Sequence, residues 1–203
     1  MAFGAEVLTQ LPAEELSLIA GKVRDGDILL CAAHDPFSRL IGWSTKSPWS
    51  HVAVAYRWPA VNRILAFEAV QRFGVRAVSI DRFISETSDG THPYPGKIIL
   101  ARHRQTPEHE GLKPMADFML DSMGDRFSGV EILRIAARIV IGRFERPMMK
   151  SLKAKDEYIC SEYVCAAFAA IGIEIPWDGR GFIAPADFAL DPMVEAIGRF
   201  RTR

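Results

Sequence analysis

The sequence predicts an α+β domain built around one antiparallel sheet. Segments with the composition of strands fill the first half of the chain, and segments with helical periodicity follow in the second half. Strands and helices do not alternate as they would in a doubly wound parallel sheet. The 203 residues are 49% hydrophobic and 25% charged, which suffices for one substantial core. We therefore expect a single domain over residues 1–203.

The first half begins with a short amphipathic helix, expected over residues 11–21, and a turn at residues 22–27. Apolar and β-branched segments separated by turn residues then predict strands. These strands are expected at residues 28–32, 51–58, 64–70, 74–80 and 97–102, with a helical turn at 81–84.

The second half follows a polar, linker-like stretch at residues 104–110. Helical periodicity predicts helices at residues 112–123 and 130–141. We interpret this region, about 111–145, as a helical insertion into the domain. A polar connection rich in lysine leads to a last clear helix, which begins at Cys160 and stops at Gly172.

Composition excludes several classes of partner. Lys+Arg 25 and Asp+Glu 25 balance to a formal net charge of +0, so nothing favours nucleic acid or an anionic membrane. No apolar run approaches the length of a membrane span, and we expect no stable membrane insertion. Three cysteines do not suggest a disulfide framework. The N-terminal residues lack the pattern of a secretory signal, so a cytoplasmic location is expected. The oligomeric state stays open.

The helix that begins at Cys160 is the most informative segment. Val164, Phe168 and Ile171 recur at helical spacing, so one face of this helix is expected to be buried. A cysteine at a helix N-terminus lies where backbone N–H groups and the helix dipole favour a thiolate. The alternative is a small buried residue, which free cysteine often is. A nucleophilic role needs a base nearby.

A hairpin supplies a candidate base. If its turn centres near Ala60 and Val61, Glu68 lies opposite Ala53, and His51 shares the face of Ala53 because side chains alternate. His51 and Glu68 are then diagonal neighbours about 7 Å apart. An imidazole could take the thiol proton while the carboxylate orients the ring. The alternatives are a histidine bound to a backbone carbonyl and a solvated strand glutamate.

The remaining candidates are weaker. Cys31 and Cys165 are expected in the core. Cys31, His34 and His51 lack the spacing of a structural zinc site, so no metal and no cofactor are predicted. Trp49 is expected in the core or at the rim of a cleft beside His51.

Four short motifs in a fixed order form a recognisable set. They are Gly26-Asp27-Ile28-Leu29, Ser50-His51-Val52-Ala53, Phe67-Glu68-Ala69 and Cys160-Ser161-Glu162-Tyr163-Val164, followed by Pro185-Ala186-Asp187. This set resembles the circularly permuted papain-like branch of the NlpC-type cysteine peptidases. Ordinary NlpC-type enzymes have the cysteine helix before the histidine strand. The reversed order is similar to the YiiX/YaeF-like bacterial proteins and the relatives of lecithin:retinol acyltransferase.

The resemblance implies a permuted papain-like fold, with an antiparallel barrel-like sheet packed against helices that include the nucleophile helix. It implies Cys160 as nucleophile, His51 as general base and Glu68 as the residue that orients the imidazole. The backbone N–H of Cys160 is a candidate oxyanion donor. Further candidates for substrate or oxyanion contacts are Tyr158, Ser161, Trp49 and Ser50.

The sequence thus predicts a cysteine hydrolase that cleaves a peptide-like amide or an ester through an acyl-enzyme. One alternative is an acyltransferase or lipid-acyl hydrolase using the same three residues. The other is a non-catalytic module that binds a peptide, an amino acid or a lipid on the same fold.

Overall fold

A computed structural model describes residues 3–87, 89–127, 157–177 and 183–202. Within these ranges the α-helices are α1 Val7–Gln10, α2 Leu16–Ile19, α3 Pro36–Thr45, α4 Ile80–Ser85, α5 Lys113–Asp121, α6 Cys160–Ala169 and α7 Pro185–Leu190. Short 3-10 helices are Ala20–Lys22, Pro59–Val61 and His109–Leu112. The strands are β1 Ala13–Glu14, β2 Asp27–Ala33, β3 His51–Trp58, β4 Arg63–Val70, β5 Gly74–Ser79, β6 Gly96–His103, β7 Arg126–Phe127, β8 Glu157–Tyr158 and β9 Val194–Phe200.

One seven-stranded sheet organises the molecule, with the strand order β1-β9-β6-β2-β3-β4-β5. Neighbouring strands are antiparallel throughout, except that β1 and β9 pair in parallel. The short strands β7 and β8 form a separate parallel pair. The predicted α+β class, with an essentially antiparallel sheet packed against helices, is therefore confirmed.

The central strands are buried on both faces, which explains why β2 reads as a continuous apolar run. Ile28 and Leu30 belong to one core cluster, whereas Leu29 and Cys31 belong to another, as the alternation of side chains along a strand requires. Helices α5, α6 and α7 contribute to the first cluster, and α2 and α4 to the second. The sheet therefore lies between two helical layers.

The expected strands of the first half are all present, with ends shifted by at most one residue. The expected helix over residues 11–21 is only partly correct. Residues 16–22 are helical, as α2 and a 3-10 helix, but residues 13–14 form β1 because their backbone pairs with β9. The strand β9 was not predicted. Of the proposed helical insertion, α5 is described, while the helix expected at residues 130–141 lies outside the described residues.

Within the described ranges, no helix is both long enough and apolar enough to cross a membrane. The cytoplasmic location stays a prediction of the sequence.

Candidate active site

Cys160 is the first residue of α6, as the sequence predicts. Ile159 precedes it in extended conformation, with φ −93° and ψ 160°. The first N–H groups of a helix have no partner within the helix, so donors and the positive end of the helix dipole lie beside the thiol. The residue is only 5% exposed. A helix N-terminus is a position at which proteins place reactive thiols.

The body of α6 is fixed by burial on several sides. Tyr163, Val164, Ala167 and Phe168 are fully buried in the core cluster that also contains residues of β3 and β4. The Tyr163 hydroxyl donates to the Met119 carbonyl of α5 at 3.3 Å. The helix that carries Cys160 is therefore held firmly against the sheet.

His51 and Glu68 come together as the hairpin register requires. Val54 pairs with Phe67 across β3 and β4, and the next step of the same register places Glu68 opposite Ala53. His51 Nε2 lies 2.8 Å from Glu68 Oε2. The Glu68 side chain is 4% exposed and that of His51 is 21% exposed, so this contact is shielded from water.

Cys160 approaches His51 from the other side of the sheet. Cys160 and Val52 of β3 belong to one core cluster, whereas Ala53, which shares the face of His51, belongs to the opposite core cluster. His51 is the first residue of β3, so the two side chains meet at the end of the strand, where both line one cavity.

The ionisation of His51 reflects these neighbours. Burial lowers the pKa of the imidazole, but the charge of the Cys160 thiolate and hydrogen bonds to Cys160 and Glu68 outweigh burial and raise the pKa to about 10. Burial alone would raise the pKa of Glu68, yet His51 and Arg76 hold it below its usual value. The neighbours of His51 thus favour the protonated form of its imidazole.

The cavity at this end of β3 has a volume of about 310 Å³. Cys160, His51, Ser50 and Glu68 lie along its wall. Other lining residues carry charged or polar groups, and they include Asp35, Arg82, Glu86, Thr87, Asp89 and His92. Apolar residues, among them Val70, Val78, Phe83 and Phe127, line the cavity as well. The thiol and the imidazole therefore face a surface that is partly polar and partly apolar.

The other candidate residues have different positions. Ser50 lines the cavity, and its hydroxyl accepts from the Ala33 N–H at 3.1 Å. Trp49 is 2% exposed and packs edge-on against Phe3, with ring centroids 5.9 Å apart, away from the cavity lining. The side chain of Tyr158 lies outside what the structure describes.

Ser161 contacts the protein instead of the cavity. It is 1% exposed, and its hydroxyl donates to the Ile183 carbonyl at 2.7 Å. This bond ties the N-terminal turn of α6 to the segment before α7. The geometry gives Ser161 a positioning contact in place of the substrate contact expected from the sequence.

Arg76 is a site residue that the sequence analysis missed. It lies opposite Glu68 in the register of β4 and β5, and its Nε and Nη2 atoms donate to Glu68 Oε1 at 2.9 Å and 2.8 Å. A signal was available in the sequence. The short connection between Val70 and Gly74 fixes this register as directly as the preceding turn fixes that of His51 and Glu68.

Of the other two cysteines, Cys31 lies in the core as expected, whereas Cys165 packs against the edge of the core and is partly exposed. Cys31 is fully buried, and burial raises the pKa of its thiol far above the usual value. Cys165 is half-buried in α6, and burial raises its pKa to about 11. Neither residue lines the cavity.

Comparison with known proteins supports the fold. No family model and no curated protein matches the chain. Among solved structures, the chain is similar to the crystal structure of metalloprotein YiiX from Escherichia coli O157:H7, assigned to the family of unknown function DUF1105. The TM-score is 0.61 at 16% identity, and the match covers 87% of this chain and 97% of the other. At this identity the likeness shows a shared fold, which fits the resemblance to YiiX-like proteins.

Proposed function

We propose that this protein is a thiol hydrolase that cleaves a peptide-like amide through an acyl-enzyme on Cys160. The observation that carries the proposal is the contact of His51 with Glu68 beside a cysteine that begins a buried helix and lines the same cavity. A nucleophile, a base and a group that orients the base are the parts that this chemistry needs.

In the first half of the reaction, His51 takes the thiol proton of Cys160. The thiolate sulfur attacks the carbonyl carbon, a C–S bond forms, and the carbonyl electron pair moves onto oxygen. The backbone N–H of Cys160 is available to stabilise this oxyanion. When the intermediate collapses, the C–N bond breaks and the His51 imidazolium gives its proton to the leaving amine.

The second half releases the acyl group. His51, now neutral, takes a proton from water, whose oxygen attacks the thioester carbon. Collapse breaks the C–S bond and yields the carboxylic acid and the Cys160 thiolate. Throughout both halves, Glu68 stabilises the imidazolium and holds Nε2, so that the other ring nitrogen serves the reacting atoms.

Part of the cavity lining offers polar partners to the amide groups of a peptide-like substrate. This part includes Arg82 and Glu86, whose side chains pair at 3.4 Å, and Asp89, which binds the Thr87 and Thr91 hydroxyls. Burying a hydrocarbon chain against such groups would desolvate them without new partners. Amide N–H and C=O groups could replace the lost water. The polar part of the lining therefore favours a dipeptide, whose side chains could contact the apolar part around Val78 and Phe83.

The structural neighbour is a metalloprotein, but the residues at this cavity do not suit a metal. Both oxygens of Glu68 are taken, one by His51 and one by the Arg76 guanidinium. A cation would have to displace a positive charge to reach this carboxylate. In the described part of the chain, no group of three His, Cys, Asp or Glu side chains is placed to hold a metal ion. No step of the mechanism passes through one.

Kinetics on two substrate sets test the proposal. One set holds dipeptide amides with a fluorogenic leaving amine, and the other holds acyl esters of short and long chains. We expect kcat/KM on the dipeptide amides to exceed that on long-chain esters by at least about tenfold, which corresponds to about 1.4 kcal/mol.

If only long-chain esters are turned over, the proposed activity on peptide-like amides is excluded, and the protein is a lipid-acyl hydrolase or an acyltransferase instead. Saturable binding of dipeptides without any turnover would favour the non-catalytic binding module.

A further inference from the structure

Arg76 lies within the site because of the β4–β5 hairpin. Glu68 and Arg76 are directly opposed in the register, which brings their side chains to the same face. The turn of this hairpin ends at Gly74, the first residue of β5. Gly74 has a φ of +69°, and it lies so close to the Asp125 carbonyl that a side chain would not fit. The backbone that carries Arg76 is thus fixed at the turn.

The two oxygens of Glu68 have separate partners. Oε2 is bound by His51 Nε2 at 2.8 Å, and Oε1 accepts two hydrogen bonds from the Arg76 guanidinium. A carboxylate held at only one oxygen could rotate about its terminal torsion. With Oε1 held by two donors of a planar group, Oε2 is left at a fixed position for the imidazole.

Arg76 is itself held in place. Its Cζ atom lies 4.8 Å from the centre of the Phe73 ring, a stacking distance for a guanidinium and an aromatic face. Its side chain is only 17% exposed, so water screens its charge weakly. A well-held, weakly screened cation next to Glu68 acts strongly on that carboxylate.

We infer that Arg76 is a positioning residue for the proposed reaction, which keeps Glu68 ionised and oriented so that His51 remains the acid and base partner of Cys160. The inference rests on the proposed function. It extends the set of three residues to an ordered series: Cys160, His51, Glu68 and Arg76.

A second ion pair of the same sheet provides a matched control. Arg102 in β6 binds Asp27 through Nε and Nη2 at 2.7 Å and 2.8 Å, with side chains 16% and 1% exposed. It matches the Arg76–Glu68 pair in burial and in the donating atoms, although the two donors bind different oxygens of Asp27, and it does not line the cavity. Loss of either arginine should destabilise the fold, whereas only loss of Arg76 should change the reactivity of the Cys160 thiol.

The experiment measures the rate at which iodoacetamide alkylates Cys160 as a function of pH, in wild type, Arg76→Met, Arg76→Lys and Arg102→Met. Without Arg76, Glu68 takes up a proton at higher pH and His51 loses its anionic partner. We expect the acid limb of the Arg76→Met profile to move up by about one pH unit or more. The acid limb of Arg76→Lys, which keeps the charge but not the paired donors, should shift less than that of Arg76→Met. The acid limb of Arg102→Met should coincide with that of wild type.

A profile of Arg76→Met that superimposes on that of wild type would overturn the inference. The proposed function would survive that result if His51→Ala still slowed alkylation, and it would fail together with the inference if His51→Ala had no effect. If Arg76→Met does not fold, the alkylation profile of Arg76→Lys tests the inference, with Arg102→Met as the control. A profile of Arg76→Lys identical to that of wild type would likewise overturn the inference.

Discussion

Cys160→Ala is expected to abolish turnover of any substrate that the wild type hydrolyses. Without the sulfur no acyl-enzyme forms, and only the weak rate enhancement from binding and oxyanion stabilisation remains. Loss of a nucleophile from such a constellation lowers kcat on the order of 10⁶-fold. Steady-state kinetics measure the loss, and intact-mass spectrometry measures the missing acyl adduct.

Cys165→Ala is the matched control, because Cys165 lies in the same helix, is half-buried and does not line the cavity. We expect its kcat to stay near that of wild type, since alanine fits a helix interior. Residual turnover by Cys160→Ala within about tenfold of wild type would contradict a covalent mechanism at Cys160.

Glu68→Gln is expected to produce a large loss of stability. The carboxylate is 4% exposed and is shared by His51 and Arg76. Its removal leaves two cations close together without the anion between them. Breaking a buried pair on one side costs about 3–5 kcal/mol in the free energy of unfolding, which urea titration measures near neutral pH.

The stability lost in Glu68→Gln should become smaller as the pH falls. The pKa of Glu68 is lowered on folding, so the folded state binds this proton less tightly than the unfolded state. The stabilisation is present above the unfolded value of about 4.5 and is lost as pH falls through the lower folded value. The difference between wild type and Glu68→Gln should therefore shrink on acidification below that point.

Glu86→Gln is the control for this effect. Glu86 is also paired with an arginine, Arg82, but its side chain is 45% exposed. We expect its removal to cost at most about 1 kcal/mol. A Glu68→Gln protein as stable as Glu86→Gln, or a difference that does not change with acidification, would contradict the picture of a buried, ionised Glu68.

The sequence predicted local geometry well where turns are short. The turn at Pro59–Val61 sets the pairing of β3 with β4, and that pairing brought His51 and Glu68 together on one face. The same local reasoning would have found Arg76, whose partner is set by the next turn. These contacts need only the alternation of side chains and a register.

Features that depend on contacts between distant parts of the chain could not be predicted from the sequence. The strand β9 carries Glu195, Gly198 and Arg199 among apolar residues, so its pattern is weak, and its extended form depends on pairing with β6 and β1. Trp49 turns into the core because Phe3, from the start of the chain, packs against it. Likewise, the approach of Cys160 to His51 depends on how α6 docks on the sheet.

Alkylation of the three cysteines by iodoacetamide, followed by peptide mapping at neutral pH, measures whether His51 activates Cys160. If solvent exposure alone set the alkylation rate, Cys165 would react first, since Cys160 and Cys31 are buried. We expect the opposite order: Cys160 is modified far faster than the other two cysteines, and this difference is lost in His51→Ala. Slow labelling in the order of exposure, unchanged by His51→Ala, would contradict it.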